Sequence, residues 1–192
     1  MDERACRVAQ AGYEVISQYG IRRATMNDIA VAAGVSRQTV YNIFPNREEL
    51  LGGVVRYHFN SKWRAIREAI ANIDDRHERI SVLLDMLVVS SWESMQAMPH
   101  ADELELELDT TMRRRLDDIH KEAMLNLCEF FLPYENKLAP RGISARGIAE
   151  MLHLSIVGLK LSSTSREQIE TVVATMKACL IAITDDALCP TS

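Results

Sequence analysis

Apolar residues recur at helical spacing along almost the whole chain. Between Glu3 and Tyr19, the residues Val8, Ala11, Gly12, Val15 and Ile16 share one face, and Gly20 marks where that helix stops. Two short apolar faces follow, carried by Ile29, Ala33, Val35, Val40 and Ile43 and separated at Ala33-Gly34-Val35-Ser36. Gly34 can take a positive φ at little cost and Ser36 is a good N-cap, so the pattern predicts two short helices joined by a tight turn. Thr25 caps the first of them, with Asp28 as its capping-box partner. Asn46 caps the next helix, with Glu49 in the matching place, after Pro45 has stopped the helix before it. From Leu50 the positions Leu51, Val54, Val55, His58, Phe59, Trp63, Ile66 and Ile70 keep helical spacing to about Asn72, which predicts a long fourth helix.

Beyond Asp75 a fifth helix carries Ile80, Leu83, Leu84, Leu87, Val88, Ser91, Trp92 and Met95, and Pro99 marks a break. From Glu103 to Asp109 the pattern alternates with period two, which taken alone favours a strand; a single short strand without a partner would be unstable, so a short helix or turn is expected. A helix from Thr110 to Tyr134 presents Leu116, Ile119, Met124, Leu127, Cys128 and Phe131, and a loop with Pro133, Pro140 and Gly142 follows. Ser144 opens a helix through Ile148, Met151, Leu152, Ser155, Ile156 and Leu159. Ser165, with Gln168 as its box partner, caps the last helix, through Ile169, Val172, Val173, Met176, Leu180 and Ile183. The expected fold class is all-α, with about nine helices.

The first of these helices contain the chemistry most open to interpretation. With Ile29, Val40 and Ile43 turned inward, Arg37, Gln38, Thr39, Tyr41 and Asn42 point outward, rich in donors and acceptors. That arrangement is a helix-turn-helix, whose second helix enters the major groove of DNA. Arg37 can reach guanine O6/N7 or a phosphate, Gln38 can bridge adenine N6/N7, and Thr39 offers a hydroxyl and a methyl, the latter suited to a thymine methyl. Thr25, at a helix N-terminus, offers its hydroxyl and free backbone N–H groups to a phosphate. Ser36 and Asn42 complete the expected DNA-facing set.

Net charge is −5, from 22 basic and 27 acidic residues, which at first argues against a nucleic-acid partner. The distribution reverses that. From Gly20 to Arg47 the cations Arg22, Arg23, Arg37 and Arg47 face only Asp28, while the acidic excess lies later, from Asp102 to Asp109. A basic head on an acidic body suits a protein that touches phosphates with one end. The acidic run reads as a solvated edge with Arg113-Arg114-Arg115 as its counter-charge. No run of about eighteen apolar residues would cross a membrane, and the first residues hold no apolar segment of a secretory signal. The four cysteines, Cys6, Cys128, Cys179 and Cys189, form no C-x-x-C pair, so neither a disulfide framework nor a zinc site is expected. A reduced, cytoplasmic chain is expected, without metal or cofactor. No nucleophile–base pair, phosphate loop or dinucleotide fingerprint points to an enzyme.

Taken with its flanks, the frame Gly20, Thr25, Ile29, Ala30, Ala33, Gly34, Val35, Ser36, Val40, Tyr41, Phe44, Arg47 and Leu50 resembles the N-terminal DNA-binding domain of the tetracycline-repressor (TetR) family of transcriptional regulators. The resemblance covers about a quarter of the chain. It implies a helix-turn-helix domain of three helices over residues 1–46 and a helical effector-binding and dimerisation domain over 47–192. It also implies that Tyr41 and Arg47 contact phosphates; Tyr41 and Phe44 also fit the head's core, and Phe44 is taken as core. Helices 144–161 and 165–184 would form a four-helix bundle with a second copy, setting two recognition helices about one DNA turn, roughly 34 Å, apart on a palindromic site. Asn42 and Ile43 stand where the family frequently has an aromatic and a histidine, and Ala24 replaces a frequent threonine; this implies a thinner phosphate set or a different operator.

Two readings stand for Met86, Trp92, Met95, Met124, Leu127, Cys128, Phe131, Met151 and His153: the lining of a Met-rich cavity for a small lipophilic or aromatic effector, or a helix-bundle core. His120 and His153 read as core histidines. The expected function is a ligand-responsive DNA-binding regulator, a repressor released from its operator by an effector of unknown identity. Its partners would be double-stranded DNA, a second copy and the effector, with no membrane. The alternative is a dimeric helical adaptor or antagonist that keeps the fold without binding an operator.

Overall fold

The computed structural model of the chain describes residues 1–97, 110–161 and 165–185. Every element among them is helical. The expectations for Pro99, the run from Asp102 to Asp109, Cys189 and the side chains of Met95 and Arg113 to Arg115 lie outside the described residues. The chain divides into two compact units, the first made of Met1–Arg64 with the described part of Ser94–Ile119, the second of Ala65–Glu93 and the described residues from His120 onward.

In the first unit, α1 (Glu3–Tyr19) starts where the Asp2 carboxylate accepts from the Ala5 N–H at 2.7 Å. It stops at Gly20, whose φ of 83° turns the chain and whose N–H still reaches the Ile16 carbonyl. The next helix, α2 (Met26–Ala32), is opened by Thr25 and Asp28 with both halves of the capping box formed. Its end is closed by Gly34 at φ 65°: the N–H groups of Gly34 and Val35 bond back to the carbonyls of Val31 and Ala30. Those are the two bonds that satisfy the orphan carbonyls of a helix terminus. The second helix of the pair, α3 (Arg37–Ile43), begins at Ser36, which accepts from the Thr39 N–H. Asn46 opens α4 (Arg47–Ile70) by accepting from the Glu49 N–H at 2.8 Å.

Val8, Ala9, Ile29, Ala30, Val40 and Leu50 are no more than 2% exposed and form the centre of this unit's core. Two glycines let the helices close on it. A Cβ at Gly12 would lie 2.6 Å from Val54 Cγ2, and one at Gly53 would lie 2.5 Å and 2.6 Å from Phe44 Cε1 and Cζ. The Phe44 ring is buried, so it has little room to move away. Gly53→Ala is therefore expected to lower the urea midpoint. The helical preference for Ala over Gly, about 1 kcal/mol, is outweighed by overpacking of about 1–3 kcal/mol. A raised midpoint would show that the ring yields.

The second unit is organised around α5 (Arg76–Leu84), capped by Asp75, which accepts from the Glu78 N–H at 2.7 Å. The single helix expected here is interrupted by a π-helical stretch, Asp85–Val89, before continuing as α6 (Ser90–Gln96). Buried Ser91 donates its hydroxyl to the Leu87 carbonyl at 2.7 Å. The Asp85 carboxylate takes Lys177 Nζ at 2.7 and 2.8 Å. A lysine from another helix thus anchors the start of the widened turn, a contact that hydrophobic periodicity does not encode.

Beyond it run α7 (Thr110–Phe131) and the one-turn α8 (Glu135–Leu138), which lies between two 3-10 turns. Last come α9 (Ala145–Leu161) and α10 (Arg166–Thr184). Ser165 and Gln168 form the capping box of α10 as the spacing predicts.

The unit's core holds Ile80, Leu83, Leu84, Leu127, Phe131, Leu138, Leu152 and Leu180, each at most 1% exposed. Arginines close the helix ends. Arg79 donates to the carbonyls of Ile70 and Ile73 at the end of α4. At the end of α10, Arg76 reaches the Thr184 carbonyl and Asp185, while Arg141 reaches the carbonyls of Ile183 and Asp185. Guanidinium at a helix C-terminus meets both the unpaired carbonyls and the negative end of the dipole. No helix among the described residues is long and apolar enough to cross a membrane.

Candidate nucleic-acid interface

The site is the outer face of α3 and what surrounds it. Val40 is fully buried and holds the helix to α1 and α2, which leaves Arg37, Gln38 and Asn42 exposed and Thr39 half-buried. These side chains pair with one another one turn apart. Arg37 Nη2 donates to the Tyr41 hydroxyl at 3.3 Å, with its guanidinium 5.4 Å from the ring centre. Gln38 Nε2 donates to Asn42 Oδ1 at 2.9 Å, and the hydroxyls of Ser36 and Thr39 meet at 2.8 Å. Exposed pairs of this kind are worth only a few tenths of a kcal/mol each. They align the polar groups and can be exchanged for base edges at small cost.

The half-buried ring of Tyr41 packs against the unit's core, while its hydroxyl accepts from Arg37. Thr25 stands at the start of α2 with its hydroxyl donating to Asp28 Oδ2 at 2.6 Å and its N–H donating to the same oxygen at 3.0 Å. The hydroxyl bond first and the backbone bond second hold the Asp28 carboxyl below its ordinary range. Arg47 reaches inward from the first turn of α4, donating to the carbonyls of Ile21 and Ala24. Its charge is thereby committed to the loop that carries Thr25.

Two further residues that no motif signals stand beside this face. Arg4 and Arg7 of α1 line a pocket together with Val8, Val35, Thr39 and Ile43. Their spacing puts both on one helix face, which was legible; that this face lies against α3 follows only from the packing of the helices.

The nine residues considered for an effector are distributed unevenly in the fold. Leu127 and Phe131 are core, Met86, Trp92, Met124, Cys128 and His153 are half-buried, and Met151 is 47% exposed on α9. Met95's side chain is not among those described. Trp92 Nε1 is buried without an acceptor among the described residues. The rings of His120 and His153, both half-buried, meet edge-on with centres 5.0 Å apart. Cys6, Cys128 and Cys179 are free thiols. Among the described residues no group of three His, Cys, Asp or Glu side chains could hold a metal ion.

A capped turn, a buried Val40 and a helix with an outward polar face define a helix-turn-helix. Residues 9–54 match the family described as "Bacterial regulatory proteins, tetR family". The chain is 30% identical over 84 residues to the HTH-type transcriptional activator FasR of Mycolicibacterium smegmatis, a stretch covering 44% of this chain and 38% of that one. The match thus spans well under half of that relative's length. Over 188 residues it is 25% identical to the fatty acid metabolism regulator protein of Bacillus subtilis, covering 95% of this chain and 90% of that one. The solved structure of FadR from Bacillus subtilis in complex with stearoyl-CoA superposes with a TM-score of 0.62 at 18% identity, covering 92% of this chain and 97% of that chain. The similarity to the tetR family of bacterial regulatory proteins thus rests on residues 9–54, the helix-turn-helix part of the chain.

Proposed function

We propose that the chain is a cytoplasmic, ligand-responsive repressor that binds a palindromic operator as a homodimer and is released by a lipophilic effector of the fatty-acyl class. The outward face of α3 is the observation that carries this reading: Arg37, Gln38 and Asn42 are exposed and Thr39 half-buried beside a buried Val40. Arg37 and Gln38 read bases, Ser36, Thr39 and Asn42 complete the groove contacts, and Thr25 and Tyr41 hold the backbone. Arg47 fixes the loop that presents Thr25. Residues 1–46 act as the DNA-binding domain and 47–192 as the effector-binding and dimerisation domain.

Dimerisation runs through helices 144–161 and 165–184. It is supported by Met151 and Leu154 exposed on α9, and by the small exposed residues Ala174, Thr175, Ala178 and Cys179 on α10. The effector class draws on the stearoyl-CoA carried by the Bacillus subtilis FadR structure and on the half-buried Met86 and Met124. Trp92 Nε1 offers a buried donor to an acceptor on such a ligand.

Fluorescence anisotropy with a labelled duplex from the chain's own promoter region, at two salt concentrations, tests the reading. The expected result is selective, salt-weakened binding of two protomers per site, reduced by added stearoyl-CoA. Absence of selective binding to any such fragment would overturn it in favour of an adaptor without an operator.

A further inference from the structure

We infer that Arg4 and Arg7 form a second phosphate grip, holding the DNA backbone beside the groove that α3 enters. The inference rests on the DNA-binding reading above. The two arginines stand three residues apart near the start of α1, both exposed and on one face of that helix. With Val8 of α1 they border the same pocket as Val35, Thr39 and Ile43. Thr39 belongs to the polar face of α3, so the two guanidiniums flank that face along its Thr39–Ile43 edge. The Ile43 side chain has no polar atom, and α1 supplies the charge that this edge of α3 lacks.

The charge balance of the unit points the same way. Arg37 is engaged with Tyr41, and Arg47 with the carbonyls of Ile21 and Ala24. Arg4 and Arg7, by contrast, make no ion pair or hydrogen bond among the described residues. Of the carboxylates at or within α1, Asp2 is occupied as its cap by the Ala5 N–H, Glu3 is exposed, and Glu14, two turns beyond Arg7, accepts from Gln10. Exposed, unpaired guanidiniums beside a major-groove helix suit phosphate oxygens, which position the protein without reading sequence.

The test compares the wild-type chain with the double variants Arg4→Ala/Arg7→Ala and Arg4→Lys/Arg7→Lys. Each is titrated with salt on the promoter duplex and on an unrelated duplex. Each phosphate contact contributes about 0.9 to the slope of log affinity against log salt, so two contacts on each of a dimer's two heads should flatten the slope by roughly 3.6. The Ala variant is expected to show that flattening and to lose affinity by a similar factor on both duplexes, with an unchanged thermal midpoint. The Lys variant is expected to keep the wild-type slope. An Ala variant with the wild-type slope would overturn this inference while leaving the DNA-binding reading intact. If the wild-type chain bound neither duplex at low salt, both would fall together.

Discussion

Replacing Arg37 and Gln38 together with Ala is expected to abolish discrimination between the operator and an unrelated duplex while leaving a folded dimer. Both side chains are exposed, and their only described partners are Tyr41 and Asn42 on the same helix. Little is lost from the fold, because such pairs contribute a few tenths of a kcal/mol and Ala is a better helix former than either residue it replaces. The loss falls on DNA. A bidentate contact to a base edge is worth about 1–3 kcal/mol, so two of them amount to about 2–6 kcal/mol per head. The ratio of dissociation constants for operator and unrelated DNA, measured at one salt concentration, is the readout. It should collapse toward one while residual binding through phosphates persists. An unchanged ratio would show that α3 is not the reading helix.

The parts of this molecule that were legible in sequence are those whose physics is local. Thr25, Ser36, Asn46 and Ser165 all accept from an N–H three residues on, and Gly20 and Gly34 both take the positive φ that ends a helix. A cap is decided within one turn, so spacing alone reveals it. The exposure of Arg37, Gln38 and Asn42 on α3 was legible for the same reason, since a buried Val40 dictates which neighbours face out, whereas Thr39 and Tyr41, expected with them, are half-buried.

What could not be read depends on residues far apart in the chain. Arg47 has the charge and position of a phosphate ligand, yet its partners lie 23 and 26 residues earlier. The arginine that reaches the end of α10 from α5 bridges 108 residues. Nor does the apolar periodicity of residues 76–96 show a π-helical stretch, because the Lys177 that grips Asp85 comes from another helix. Met151 fits an inward face by composition, whereas it is turned outward with Leu154. Periodicity names a helix and its apolar stripe; it does not say which stripe covers the chain's own core and which awaits a second surface.

That outward stripe is where the second large effect is expected. Leu154→Glu should convert the dimer into a monomer at micromolar concentration, seen by sedimentation equilibrium, without unfolding the chain. Leu154 is 71% exposed, so the substitution costs the monomer little. In a two-fold interface the same patch serves both subunits, and each dimer would acquire two new carboxylates. An unpaired buried charge costs several kcal/mol, more than most interfaces of this kind can absorb. Operator binding should fall with the dimer, because one head meets one half-site and the second head's phosphate contacts are lost. The contrast with the Arg37 and Gln38 variant separates the two halves of the proposal: that variant stays dimeric and loses selectivity, whereas Leu154→Glu keeps an intact reading helix and loses its second copy. A Leu154→Glu chain that remained dimeric would place the subunit contact on some other face, and the two-headed geometry would then have to be rebuilt from that face.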